Sequence, residues 1–164
     1  YRKKINFESF FEIIKKNTLF YNNIKDVPKN FYSGVDIQLT NSCLEHINDL
    51  QDLLSSLKAL ISDDGKYIHA VDFGNHMKSK NPFNGIYELS PKDFKSKFGS
   101  KINLVYPSKM IEMFSQAGFS NALLVPYYFF KEDFDQNIND YWSENLKESD
   151  FFLKVGLIAG EKVK

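Results

Sequence analysis

VDIQLTNSCLEHINDLQDLLSSLKALISDDGKYIHAVD, residues Val35 to Asp72, is the stretch that decides the fold. Val35 to Leu39 is a short strand-like run that stops at Thr40-Asn41-Ser42. Leu50, Leu53, Leu54, Leu57, Leu60 and Ile61 then recur at helical spacing, with Asn48 or Asp49 as a natural cap. Asp63-Asp64-Gly65 reads as a turn, and Tyr67 to Val71 as a second strand ending on Asp72. A strand, helix and strand of this length is what a parallel crossover needs. Ligands in open α/β sheets sit beyond the carboxyl ends of the strands, which makes Asn41, Ser42 and Asp72 candidate site positions.

Outward from this unit the chain keeps alternating. Ile5 to Lys16 reads as an amphipathic helix and Thr18 to Tyr21 as a short strand, followed by a loop rich in Asn, Asp, Pro and Gly from Asn22 to Gly34. Between Phe73 and Tyr106 the pattern loosens around Gly74, Pro82, Gly85, Pro91 and Gly99, with a short helix from Pro91 to Lys97. Pro107 suits the first position of a helix that runs to Ala117 and closes at Gly118. Phe119 to Phe130 contains a strand, Lys131 to Ser149 reads as a loop with a helical turn at Tyr141 to Leu146, and Phe151 to Gly160 is the last strand. The expected organisation is one α/β domain over residues 1–164, with 73–106 as a substrate or lid insertion.

The totals bound the function classes. The 164 residues are 43% hydrophobic with 16 Phe and 9 Tyr, enough apolar material for one core and too much for a disordered chain. Lys plus Arg and Asp plus Glu both number 21, giving zero formal charge, so binding to nucleic acid by bulk electrostatics is not expected. The single cysteine, Cys43, allows no internal disulfide and fits a reducing, cytoplasmic setting. No signal peptide is visible, and apolar runs such as Leu123 to Phe130 are too short to span a membrane.

The pattern "V-D-I-x-L-x-N-S-x-L-E-H-I", then a helix, then "D-D-G-K-Y-I-H-x-V-D", resembles the fourth strand, following helix and fifth strand of class I S-adenosylmethionine-dependent methyltransferases. The resemblance implies a Rossmann-like sheet in spatial order 3-2-1-4-5-7-6, with the seventh strand antiparallel and helices on both faces. Thr18 to Tyr21 then resembles strand three, Phe119 to Val125 strand six and Phe151 to Ala159 strand seven, with "Q-A-G-F-S-N" ahead of the late pair. Strands one and two have no counterpart, and no G-x-G-x-G occurs in these residues. The chain therefore resembles the C-terminal part of such an enzyme, an incomplete sheet. Its start at Tyr1 rather than Met fits a fragment. Without strand one, the strand at Val35–Leu39 would be an exposed apolar edge, so a missing N-terminal segment or a second copy is expected to cover it.

The resemblance assigns roles to corners. Asn41, Ser42 and Cys43 would pass along the methionine end of S-adenosylmethionine, with His46 near the same pocket. From the residues alone, Asn41 and Ser42 are equally a strand-to-helix turn, His46 a structural hydrogen-bonded residue, and Glu45 a charge favouring a helix N-terminus. The position where the family places an adenine-binding Asp falls on Asn23, and Asp26 reads as a loop residue. His76 and Asp72, in "H-A-V-D-F-G-N-H", would face the acceptor, His76 as base and Asp72 orienting it; the alternative is a loop Asp capping backbone beside an exposed His. His69, mid-strand, reads as structural. Asp72 and His76 could suggest a metal, but no third ligand lies at a recognisable spacing, so no metal site is expected.

The implied function is methyl transfer from S-adenosylmethionine to an O or N atom of a small molecule. The alternative is a non-catalytic methyltransferase-like binding or scaffold module that has lost the cofactor. A dehydrogenase-like α/β half is a third reading, which a parallel final strand pair would favour.

Overall fold

A computed structural model describes residues 7–77, 80–119, 121–130 and 137–162. The first two residues of the expected N-terminal helix, Ile5 and Asn6, and the start of the loop expected from Lys131 lie outside these. The chain runs α1 (Phe7–Asn17), β1 (Val35–Asn41), α2 (Leu50–Leu60), β2 (Ile61–Asp72), α3 (Pro91–Phe98), α4 (Pro107–Gln116), β3 (Leu123–Phe129), α5 (Asp140–Asn145) and β4 (Leu153–Glu161). The four strands form one mixed sheet in the order β1-β2-β4-β3. β1 and β2 are parallel, and β4 is antiparallel to both β2 and β3. The antiparallel last strand and the 4-5-7-6 order expected from sequence are both present, and the parallel final pair that a dehydrogenase half would require is not.

Three local expectations are corrected. Thr18 to Tyr21 forms no strand. Leu19 is 64% and Phe20 88% exposed, and β1 pairs only with β2 among the described residues, so the segment has no ladder to join and none forms. Asp63-Asp64-Gly65 is not a turn between elements: β2 starts at Ile61 and absorbs it as an irregular bulge, with Ser62 to Gly65 standing opposite the single Asp36. Gly65 is needed there, because a Cβ would lie 2.9 Å from the Val35 carbonyl oxygen. Asp49 does occupy the cap position of α2, but its side chain makes no capping bond.

The sheet has two unlike faces. Thr40, His69, Ile158 and Leu124 form one row across it, and Gln38, Tyr67 and Gly160 another. These rows face α2 and α4, where Leu50, Leu54, Met110, Phe114 and Phe119 close the main core with Tyr67, Val71 and Ile158. The alternate row, Leu39, Ile68, Ala159 and Leu123, faces outward. Leu39 is 68%, Ile68 47% and Leu123 67% exposed. Helices on both faces are thus not found among the described residues: α2 and α4 cover one face, and the other is bare. A second cluster gathers Phe83, Ile86, Tyr87, Phe94, Ile102, Phe130 and Trp142, tying the segment after β2 to α3 and α5. The Trp142 indole N–H donates to the Leu89 carbonyl at 2.7 Å.

The remaining helices start where their sequences say. Ser90 accepts from Asp93 N–H ahead of Pro91 in α3. Pro107 opens α4, and the free donors of that first turn are met from a distance: buried Asp150 accepts from Ser108 N at 2.7 Å and from Ser108 Oγ at 2.6 Å. No described helix is long and apolar enough to cross a membrane.

Candidate functional site

β1 and β2 are parallel, so their carboxyl ends lie side by side, and both candidate corners sit at one edge of the sheet. At the end of β1 the chain turns sharply. Ser42 adopts φ +47 and its N–H donates to the Ala70 carbonyl at 3.0 Å. Asn41, Ser42 and Cys43 are exposed. A short 3₁₀ turn, Leu44–His46, follows before α2. Asn103 holds this turn: its side-chain amide donates to the carbonyls of Leu44 and Ile47 at 2.8 and 2.9 Å, and its N–H to the Glu45 carbonyl at 2.7 Å. His46 is fixed by Nδ1, which donates to the Lys101 carbonyl at 2.6 Å.

At the end of β2, Asp72 Oδ1 accepts from Gly74 N–H at 2.8 Å, and Oδ2 pairs with the Lys154 ammonium from β4. The next loop is pinned by Asn75, which is 6% exposed. Its N–H donates to the Pro82 carbonyl, its amide donates to the Asn84 carbonyl, and its Oδ1 accepts from Met77 N–H. Between these anchors His76 is held at φ +55, a left-handed conformation that costs a β-carbon residue of order 1 kcal/mol or more. In this conformation the imidazole lies by the carboxylates at the sheet edge. His76 Nε2 lies 3.6 Å from Asp72 Oδ2 and 3.7 Å from Glu45 Oε1, and its ring meets that of His46 edge-on at 4.8 Å.

Asp72, His76 and His46, all candidates from the sequence, are therefore brought together, while Asn41, Ser42 and Cys43 line the adjoining end of β1. Asp72 is held by Lys154 and Gly74 rather than hydrogen-bonded to His76. Sequence reasoning missed two members. Lys154 lies 82 positions from Asp72 and carries no local signal. Glu45 does not charge a helix terminus, since α2 begins at Leu50; it is buried at 3% exposure with neither carboxylate oxygen hydrogen-bonded. Glu45, His46 and His76 place their ligand atoms within 4.8 Å of one another, a grouping of His76 without Asp72 that sequence spacing did not indicate.

Two hollows flank the cluster. One, between Glu45, Asp72, Ile86, Tyr87, Tyr106 and Trp142, encloses only about 30 Å³, room for a water or two. The other is an open hollow of about 390 Å³ bordered by Asp72, Asn75, His76, Tyr128, Phe130 and Lys154, a volume in the small-molecule range. His69 stands apart. It is fully buried on the packed face, bonded through Nδ1 to Thr40 Oγ1 at 3.0 Å, and burial depresses its pKa to about 4. That fits the structural role read from sequence. Asn23 accepts from Lys25 N–H and caps a single 3₁₀ turn.

This sheet order, with its antiparallel last strand and polar cluster at the strand ends, is the fold of S-adenosylmethionine-dependent methyltransferases, which are among its structural neighbours at low identity over most of the chain. A methyltransferase from Thermotoga maritima, a possible histamine N-methyltransferase, superposes with TM-score 0.56 and 16% identity, covering 94% of this chain and 70% of that one. The CurJ carbon methyltransferase gives 0.53 and 10%, covering 96% of this chain and 38% of that one. A possible exported protein from Bordetella parapertussis gives 0.52 and 11%, over 96% and 50%. The chain thus spans between 38% and 70% of these proteins' lengths. No protein-family model and no curated protein sequence matches it.

The cofactor this fold implies would have to meet the chain at the end of β1. Exposed Asn41, Ser42 and Cys43 with the left-handed turn at Ser42 leave the end of β1 open to a ligand. The sequence contains no G-x-G-x-G to cradle the cofactor's amino-acid end.

Proposed function

We propose that this chain forms the acceptor side of an S-adenosylmethionine-dependent methyltransferase acting on an oxygen or nitrogen of a small molecule. The observation that carries this reading is the convergence of Asp72, His76 and Lys154 beside an open hollow of about 390 Å³ at the sheet edge where this fold binds its ligands. The cofactor, when bound, supplies an electrophilic methyl group. Asn41, Ser42, Cys43 and His46 form its wall. His76 takes the proton from the acceptor, and Asp72 with Lys154 keeps a fixed polar border opposite it. The 3.6 Å separation of Asp72 and His76 is the kind of loose contact that tightens when substrate arrives. The segment 73–106, of which Phe83, Ile86, Tyr87, Phe94 and Ile102 pack with Trp142 and Phe130, shapes acceptor specificity.

The bare face and edge of the sheet are read as covered by further polypeptide of the same protein or by a second copy. A non-catalytic binding module is the second reading, favoured by the engagement of Asn23 as a simple cap. Turnover separates the two. Release of S-adenosylhomocysteine by the full-length protein with pooled alcohol, phenol and amine acceptors is the expected result; no release under any acceptor together with no cofactor binding leaves the binding module.

A further inference from the structure

The described residues hold two buried carboxylates with opposite surroundings. Asp150, 2% exposed, is saturated: it accepts from Ser108 N and Oγ and from Lys147 N at 2.6–3.0 Å. Glu45, 3% exposed, accepts nothing with either oxygen. An ionised carboxylate out of water without donors is costly, and native structures avoid it unless a counter-charge is supplied. His76 Nε2 is 3.7 Å from Glu45 Oε1, beyond hydrogen-bond range.

The neighbours of Glu45 are arranged as ligands rather than donors. His46 uses Nδ1 to donate to the Lys101 carbonyl at 2.6 Å, which leaves Nε2 with its lone pair free. That is the arrangement by which a backbone carbonyl fixes the tautomer of a metal-binding histidine. The His46 and His76 rings meet edge-on with centroids 4.8 Å apart. Ligand atoms of Glu45, His46 and His76 all lie within 4.8 Å of one another. A cation about 2.1 Å from each donor sets donor separations of about 3–4 Å, so the three side chains need close in by about an ångström. The His46 ring is tied to the Lys101 carbonyl and Asn103 holds the backbone of the Glu45 turn, so the movement falls to the side chains of His76 and Glu45.

We propose that Glu45, His46 and His76 bind a divalent first-row transition metal ion at the carboxyl ends of β1 and β2. Two imidazoles and one carboxylate form a mixed N/O set suited to Zn²⁺ or Mn²⁺ rather than to the all-oxygen shells of Ca²⁺ or Mg²⁺. Three protein ligands leave further coordination positions open, as in metal sites that also hold substrate. His76 borders the larger hollow, so the ion lies beside it. With the ion bound, His76 serves as its ligand instead of as the proton acceptor, and the ion supplies the acidification of an acceptor hydroxyl in its place, which favours a hydroxyl over an amine. This use of the ion rests on the methyl-transfer reading; its binding does not.

The test is titration of EDTA-stripped, full-length protein with Mn²⁺ followed by electron paramagnetic resonance, and with Zn²⁺ by calorimetry, with neither cofactor nor acceptor present. The expected result is one saturable ion per chain, weakened at least tenfold by Glu45→Gln and by His76→Gly. Glycine at position 76 relieves the left-handed strain, so this variant keeps the fold. The metal-free Glu45→Gln protein melts no lower than wild type and loses the rise in Tm that the ion gives wild type. Absence of saturable binding up to millimolar metal, or wild-type affinity in either variant, overturns the proposal. A protein that takes the metal but not S-adenosylmethionine keeps this inference and loses the methyl-transfer reading.

Discussion

His76 Nε2 stands 3.7 Å from Glu45 Oε1, a carboxylate whose two oxygens are buried and without a hydrogen bond. One residue ends a parallel strand's corner and the other a left-handed loop, 31 positions later in the chain. The geometry of the site follows from that meeting.

If His76 handles the acceptor proton, His76→Asn keeps the left-handed backbone, which Asn tolerates, and lowers kcat by about 10²–10⁴ with cofactor affinity unchanged. Steady-state kinetics with the cofactor and acceptor varied separately checks this. A KM-only effect would contradict it.

Lys154 and Asp72 are a partly buried pair, with side chains 21% and 18% exposed. Lys154→Met leaves the carboxylate with only the Gly74 N–H and is expected to cost about 1–2 kcal/mol, less than a fully buried pair because water still reaches it. A shift in the urea midpoint at constant slope measures the loss.

His69 gives a pH dependence of known sign. Its folded pKa, about 4 against an ordinary 6.5, is lowered by burial. The unfolded chain binds the proton first, so His69's contribution is full above about pH 6.5, falls as pH drops, and levels off below about 4. The span is about 3 kcal/mol. His69→Leu should flatten the stability curve over that window relative to wild type; parallel curves would contradict the assignment.

Ile37 and Leu39 on the edge strand β1 are 64% and 68% exposed. A polypeptide of residues 1–164 alone is expected to self-associate through this edge and the bare face. Sedimentation velocity should show the association, and Ile37→Lys with Leu39→Lys should abolish it. A monodisperse monomer that unfolds cooperatively would contradict the expectation.

The sequence carried the elements whose signals are local. The strand–helix–strand from Val35 to Asp72, the proline-opened α3 and α4, and the late strand pair were all legible from periodicity and turn chemistry. The edge on which Asn41 and Asp72 sit followed from strand polarity. What failed depended on neighbours. Thr18 to Tyr21 has strand-like residues but no ladder to join. Asp63-Asp64-Gly65 has turn residues, but β1 pairing draws them into a bulge. Glu45 read as a charge favouring a helix N-terminus, and only the fold closing over it shows that it is buried and near two histidines. Lys154 reaches Asp72 from a strand that no spacing rule connects to it.

The central claim is that this sheet edge serves S-adenosylmethionine chemistry. Calorimetric titration of the full-length protein with S-adenosylmethionine tests it most directly. Saturable heat with one site per chain, accompanied by a rise in Tm, is the predicted result. No heat and no thermal shift at millimolar cofactor would contradict it.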